Sequence, residues 1–381
     1  MIVKTTHFRV GNGDMMLVVT ESGRKILVDC NIRTASEDPD DDTPDVAKQL
    51  RQRLDRDDKG RLYVDAFLLT HPDADHIHGL MKHFHLGDLD TWSKKSDKII
   101  IREQWSSPVV FRRAHKKNNV LCDDANAWAT EARRRVKKFK DGHFIGDGNR
   151  ILVLGEDVDG KTDDLGAILV KTDETFSKIC GSFDRTFEAR LLAPLIAKDD
   201  EEEEIITKNN SSVIMRLDLN VSAVKRGRYL IGGDAEAGVW DRIWDHNKTV
   251  KERLEYDILI APHHCSWHGL SYDSWSDMGE KAKVSQPARN ALGQARAGAL
   301  VISSSKCVTD DDCDPPCIRA KREYENILKP GKGEFRCVAD GAGVEPLEIE
   351  VLAAGPKVKR IAVAATIAAG TGIGSQPLAH G

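Results

Sequence analysis

Short runs of aliphatic and branched residues punctuate the chain, and their spacing alternates between period two and period three to four. "MMLVVT" (15–20) and "KILVDC" (25–30) are two such runs, joined by "ESGR" with its Gly23, and they predict a hairpin of two strands. "TPDVAKQLRQRLDRD" (43–57) offers Thr43 as N-cap and Pro44 at the first helical position. It repeats Val46, Leu50 and Leu54 every fourth residue, the pattern of an amphipathic helix. "YVDAFLLT" (63–70) predicts the next strand, and "SSVIMRLDL", "RYLIGGD", "YDILIAPHH", "GALVISSS" and "LEIEVL" predict others downstream. "AEAGVWDRIWDHN" and "PPCIRAKREYENIL" carry helical spacing between them. Strands crowded at the start and mixed with helices later predict an α/β fold of two sheets flanked by helices.

From about residue 88 to 200 the rhythm breaks. This stretch holds a basic helical segment, "DDANAWATEARRRVKKFKD" (123–141), and ends in "KDDEEEE" (198–204), which predicts a solvated acidic loop. Residues 353–381 are rich in Ala and Gly with weak periodicity and are expected to form a tail. The domain reading is one unit over 1–352, interrupted by the partly helical insertion at 88–200, with that tail behind it.

Composition narrows the class. With 381 residues, 40% apolar and 31% charged, the chain has the makeup of an ordinary globular protein. Its net charge of −5 gives no global attraction to nucleic acid or anionic membrane, so any basic footprint must be local. The opening "MIVKTTHFRVGNGD" has no apolar signal segment, and "IAVAATIAAGTGIG" near the end is too short to cross a bilayer of about 30 Å. A cytoplasmic location without a membrane partner is therefore expected. The eight cysteines are spread thinly, and "CVTDDDCDPPC" (307–317) lacks the tight CxxC pairs of a structural zinc site. Free thiols are expected.

The chemistry is concentrated at strand ends. "HPDADH" packs His71, Asp73, Asp75 and His76 into six positions directly after an apolar run. Desolvated polar groups so close together must each find a partner. Splayed in two directions, one pair reaches one cation and the other pair a second; nitrogen and carboxylate donors suit zinc and manganese alike. "YLIGGDAEAG" sets Asp234 after two glycines, where its carboxylate could bridge two ions. "APHHCSWHG" sets His263 and His264 after another strand. Singly, each has an ordinary reading: a capped turn, a strand-end turn, a surface histidine pair. Three such points, each closing an apolar strand, favour a site for two divalent metal ions on a rigid scaffold.

"HPDADH" resembles the HxHxDH signature of the metallo-β-lactamase fold, with Asp73 in place of the second histidine. This variant is similar to the hydrolase domain of ComEC-type DNA-uptake proteins and their stand-alone relatives. "VGNGDMMLVVTESGRKILVDCN", "NNSSVIMRL", "LIGGD", "APHHCSWHG" and "VISSS" follow the order of those domains. The resemblance implies an αββα sandwich carrying a helical insertion. It also implies a first ion on His71 and Asp73, with a third donor near Asn209 or Asn210. The second ion would rest on Asp75, His76 and His264 or His263, with Asp234 bridging the two and Asp29 orienting the histidines. Three departures stand out: His78 and Cys265 replace glycines, and the insertion is longer. No channel segment accompanies the domain, so DNA transport is not implied.

The resemblance further implies hydrolysis of a phosphodiester in DNA or RNA. Asp75 would orient the attacking water, and His263 or His268 would donate a proton to the leaving group. Arg133, Arg134 and Lys137, with "FRRAHKK" (111–117), are candidates for phosphate contact. Because Ala125, Trp128, Ala129, Ala132, Val136 and Phe139 share one helical face, those cations can equally be its solvated side. Two other classes stay open: a metallohydrolase of another ester, lactone or thioester, and a metal-stabilised interaction module that binds a protein partner through the insertion or the tail.

Overall fold

The computed structural model describes residues 1–116, 120–143, 145–198, 203, 206, 211–222, 225–340 and 343–359. Two sheets lie face to face. The first runs in the order Gly355–Val358, Leu347–Leu352, Lys4–His7, Met16–Val19, Lys25–Val28, Leu62–Leu68, Ile99–Ser106, Arg150–Leu154 and Leu169–Val170. The second runs Thr175–Phe176, Phe187–Ala193, Ile214–Ser222, Lys225–Ile231, Tyr256–Ile260, Ala295–Ser303 and Glu334–Cys337. Both are antiparallel on one side and parallel on the other, with the changeover at Lys25–Val28 in the first sheet and at Lys225–Ile231 in the second.

Side-chain alternation makes the layers. Met16, Val18, Ile26 and Val28 face the opposing sheet, while Leu17, Val19 and Leu27 face outward. In the second sheet Tyr229, Ile231, Ile258, Ile260, Leu300 and Ile302 point inward, and Leu230, Leu259 and Val301 outward. The central strands are buried on both faces, so they read as nearly unbroken apolar runs. Helices Ala237–Asn247, Gln286–Leu292 and Ile318–Leu328 cover the outer face of the second sheet through Trp240, Ile243, Leu292, Tyr324 and Leu328. Helices Val46–Arg51 and Asp123–Lys140 cover that of the first through Val46, Leu50, Ala125 and Trp128. The result is a four-layered αββα sandwich. Among the described residues no helix is long and apolar enough to cross a membrane.

Local details differ from the sequence reading. Asp45, not Thr43, caps the first long helix, because its carboxylate reaches the Lys48 N–H at 2.9 Å; the helix then ends at Arg51. Residues 88–200 contribute strands to both sheets, Ile99–Ser106 and Arg150–Leu154 to the first and Phe187–Ala193 to the second. Of the acidic run, only Glu203 is among the described residues beyond Lys198; it pairs with Arg112 and Arg113 at 2.8 and 2.9 Å. Gly355–Val358, in the stretch read as a tail, forms an edge strand against Leu347–Leu352. All eight cysteines carry free thiols.

Candidate metal centre

Parallel strands deliver their C-terminal ends to one side of the sandwich, and four of those ends carry polar residues. Leu62–Leu68 runs into Thr70, His71 and a one-turn helix, Ala74–Ile77. Beside it, Lys25–Val28 ends at Asp29, whose backbone is left-handed (φ 54°). That twist lets Asp29 reach across its neighbour. Its carboxylate accepts the Thr70 N–H at 2.7 Å, the Thr70 hydroxyl at 2.6 Å and His76 Nδ1 at 2.8 Å.

In the second sheet, Lys225–Ile231 ends at Gly232 and Gly233. A Cβ on Gly233 (φ 50°) would sit 2.8 Å from Ser212 Oγ and 2.9 Å from Thr70 Oγ1, so only glycine brings Asp234 this close. The Asp234 N–H then donates to Ser212 Oγ at 3.1 Å. Tyr256–Ile260 leads through Pro262 into His263, His264 and Cys265, three successive non-glycine residues with φ of 51°, 53° and 68°. Each such residue costs about 1 kcal/mol or more, strain that persists only where the surroundings enforce it. Here the His263 N–H donates to Gly233 O at 3.0 Å, and Cys265 O accepts the Cys317 N–H at 3.0 Å. The turn sends neighbouring histidines to opposite oxygens of the same carboxylate.

Asp234 is the hub. Its Oδ1 lies 3.1 Å from His76 Nε2 and 3.5 Å from His264 Nε2. Its Oδ2 lies 3.5 Å from His71 Nε2 and 3.8 Å from His263 Nε2. Asp75 Oδ2 joins the first group, 3.1 Å from His264 Nε2, and Asp73 Oδ2 the second, 3.8 Å from His71 Nε2. One carboxylate thus faces two histidine pairs, each with an aspartate beside it.

The electrostatics call for positive charge between them. Asp29 takes the Nδ1 proton of His76, so His76 Nε2 carries a lone pair; it faces His264 Nε2 at 3.3 Å and Asp234 Oδ1 at 3.1 Å. Two imidazole nitrogens and a carboxylate oxygen converging in a buried space need a proton or a metal cation among them. Burial opposes charging of His76 and His264, yet the Asp234 carboxylate raises both well above the ordinary imidazole range. Burial would likewise raise Asp234, but the imidazoles of His264, His76 and His71 hold it well below the carboxylate range. Asp29 moves the other way, pushed up by its burial. His71 Nε2 and Asp234 Oδ1 are buried without any hydrogen-bond partner. Imidazole and carboxylate donors with unmet valence fit a divalent metal cation.

The structure therefore brings His71, Asp73, Asp75, His76, Asp234, His263 and His264 together. Asn209 and Asn210 lie outside the described residues. No side-chain bond or ring contact ties His268 to the cluster; its backbone N–H donates to Ser266 Oγ. Arg134 is not available to a phosphate. It pairs with Glu131 and Asp88, and it donates to Asn149 Oδ1 and Gly148 O. Arg112 and Arg113 are likewise held, by Asp157, Glu203 and Leu195 O. Arg133 and Lys137 line a cavity of about 720 Å³ floored by Phe111, Ala132 and Val136, which starts at Ser106 on the strand next to the one bearing His71. Lys137 pairs there with Asp141 at 2.7 Å.

Sequence reasoning gives no role to Asp14. It is buried, and with His76, Asp234 and His264 it forms a set of potential donors within 4.8 Å of one another. Its one signal is its place in "VGNGD", a polar residue directly after Gly13 and ahead of a strand.

No family model matches the chain, and no curated protein matches it. Among solved structures it is similar to a point mutant of the CmlA beta-hydroxylase, at 11% identity and a TM-score of 0.38. The match covers 91% of this chain and 54% of that one, so the chain spans about half the length of that protein. A likeness this slight transfers no residue role.

Proposed function

We propose that the chain is a metal-dependent hydrolase acting on phosphodiesters, with DNA or RNA as first substrates and two divalent cations, zinc or manganese, as cofactors. The observation that carries the reading is the two-sided environment of Asp234, with Oδ1 on the His76–His264 pair and Oδ2 on the His71–His263 pair. His76, His264 and Asp75 would hold one cation; His71, Asp73 and His263 the other; Asp234 would touch both. Cations so held supply Lewis acidity and a water acidic enough to attack near neutral pH.

The chain's own residues do the rest. Asp29 fixes the His76 ring through Nδ1, leaving Nε2 as the donor. Asp75, more exposed than Asp234 beside the same histidines, would orient the attacking water. Ser212 and Gly233 fix the Asp234 backbone. Phosphodiesters suit such a site because their attacking and leaving oxygens both carry developing negative charge. The resemblance of "HPDADH" and "VGNGD" to the DNA-uptake hydrolases points to nucleic acid among them.

The test is hydrolysis by the purified chain of bis(p-nitrophenyl) phosphate, linear DNA, RNA and cyclic nucleotides, before and after chelation. Cleavage abolished by chelator and restored by zinc or manganese supports the reading. Cleavage of thioesters or lactones with every phosphodiester untouched would replace the substrate class while keeping the metal site.

A further inference from the structure

We infer that Asp14 is the positioning carboxylate of His264, and that it acts on the nitrogen that faces away from the metals. The inference rests on the two-cation reading above. Of the two His264 ring nitrogens, Nε2 addresses the cluster, at 3.1 Å from Asp75 Oδ2 and 3.3 Å from His76 Nε2. Nδ1 turns to the other side, where Asp14 Oδ1 lies 3.7 Å away. Both atoms are buried and neither has a hydrogen-bond partner. Two orphaned groups, one a donor once Nε2 is committed as a ligand, face each other 3.7 Å apart.

The arrangement repeats the Asp29–His76 pair. There the carboxylate meets Nδ1 at 2.8 Å and leaves Nε2 free for Asp234 and the cluster. A ligating imidazole whose remote N–H is held this way has its tautomer and ring plane fixed. Asp14 is also 3.9 Å from His76 Nδ1, so it stands between the two rings on their remote side. Its place on the remote nitrogens of His76 and His264 distinguishes it from a fourth ligand, which would approach Nε2.

The loop carrying Asp14 is braced for the task. Its N–H donates to Asp75 O at 3.2 Å, which ties it to the histidine turn. Gly13 O accepts from Ser304 Oγ at 2.7 Å, and a Cβ on Gly13 (φ 144°) would come within 2.8 Å of Asp75 O. Asn12 holds Pro315 O and the Lys306 N–H, at 2.9 and 3.1 Å. Three segments distant in sequence thus fix one carboxylate against His264.

The experiment is cobalt(II) titration of wild type, Asp14→Asn and Asp14→Ala against a competing chelator. It is followed by the visible ligand-field spectrum, with thermal unfolding of the metal-free proteins as a control. Asp14→Ala should weaken one of the two cobalt sites about 10–100-fold and leave the other unchanged. Asp14→Asn, whose amide oxygen still accepts from Nδ1–H, should stay within a few-fold of wild type with its spectrum preserved. Equal affinity in Asp14→Ala and wild type would overturn the inference. So would an Asp14→Asn variant that loses the site as fully as Asp14→Ala, since that is the behaviour of a direct ligand. A wild-type chain that takes up no cobalt would instead overturn the two-cation reading, and this inference with it.

Discussion

His76 and His264 approach each other Nε2 to Nε2 at 3.3 Å, and the hydrogen bond between His76 Nδ1 and Asp29 turns Nε2 of His76 toward that point. Two imidazole nitrogens brought this close in a buried space need a proton or a metal cation between them. Asp234 Oδ1, a carboxylate oxygen, meets the same point. The folded chain spends glycine, left-handed backbone and a buried aspartate to create this convergence. Replacing the parts of that scaffold one at a time separates their contributions.

Gly233→Ala will be destabilised by about 1–3 kcal/mol and will lose metal affinity, because the new methyl meets Ser212 and Thr70 below 3.0 Å and must push Asp234 away. Denaturant unfolding and metal titration of the variant check this. Wild-type stability together with wild-type metal content would count against it.

Cys265 holds a left-handed backbone (φ 68°) in the buried turn that carries His263 and His264. Alanine and glycine both remove the thiol, but only glycine relieves the backbone. Cys265→Gly should therefore be more stable than Cys265→Ala by about 1 kcal/mol, the reverse of the order in an ordinary helix. Urea unfolding of the two variants decides it.

His7 is buried beside Thr5 and Tyr229, and burial pushes its imidazole down to about 4. Its folded value lies below the unfolded one, so the unfolded chain binds the extra proton as pH falls through 6.5. The associated stability is complete above that pH and is lost progressively down to about 4. Between pH 7 and pH 5 wild type should lose about 2 kcal/mol more than His7→Gln, in which nothing titrates at that position. Parallel pH dependences in the two proteins would refute it.

Arg134 and Lys137 should part company. Arg134→Ala removes the half-buried partner of Glu131 and Asp88 and should cost about 1–3 kcal/mol of stability. Lys137→Ala, exposed and paired with Asp141, should be neutral in stability within about 0.5 kcal/mol. If the cavity edge meets a nucleic-acid backbone, Lys137→Ala and Arg133→Ala will weaken binding in a salt-dependent way, read by fluorescence anisotropy across ionic strengths.

The layer pattern was legible because it is local: period two in Met16–Val19 and Tyr229–Ile231 states which face each residue takes. The strand ends were legible for the same reason, since His71, Asp234 and His263 each stand within three residues of the end of an apolar run. What could not be read depends on contacts across the chain. Asp14 acquires its meaning only where the first loop packs on the His76 turn and Ser304. His263 and His264 are adjacent in sequence, and nothing in a one-letter string foretells the left-handed turn that sends them to different oxygens of Asp234. Arg134 sits on the helix face expected to be solvated, but Asp88, Asn149 and Glu131 close around it.

Metal content per chain, measured by elemental analysis on wild type, Asp234→Ala and His76→Ala alongside phosphodiester cleavage, tests the central claim most directly. Wild type should carry two equivalents of zinc or manganese. Both variants should fall to one or fewer and lose cleavage while keeping the wild-type far-ultraviolet circular dichroism spectrum. Two variants that retain both metals and full activity would contradict a centre organised around Asp234.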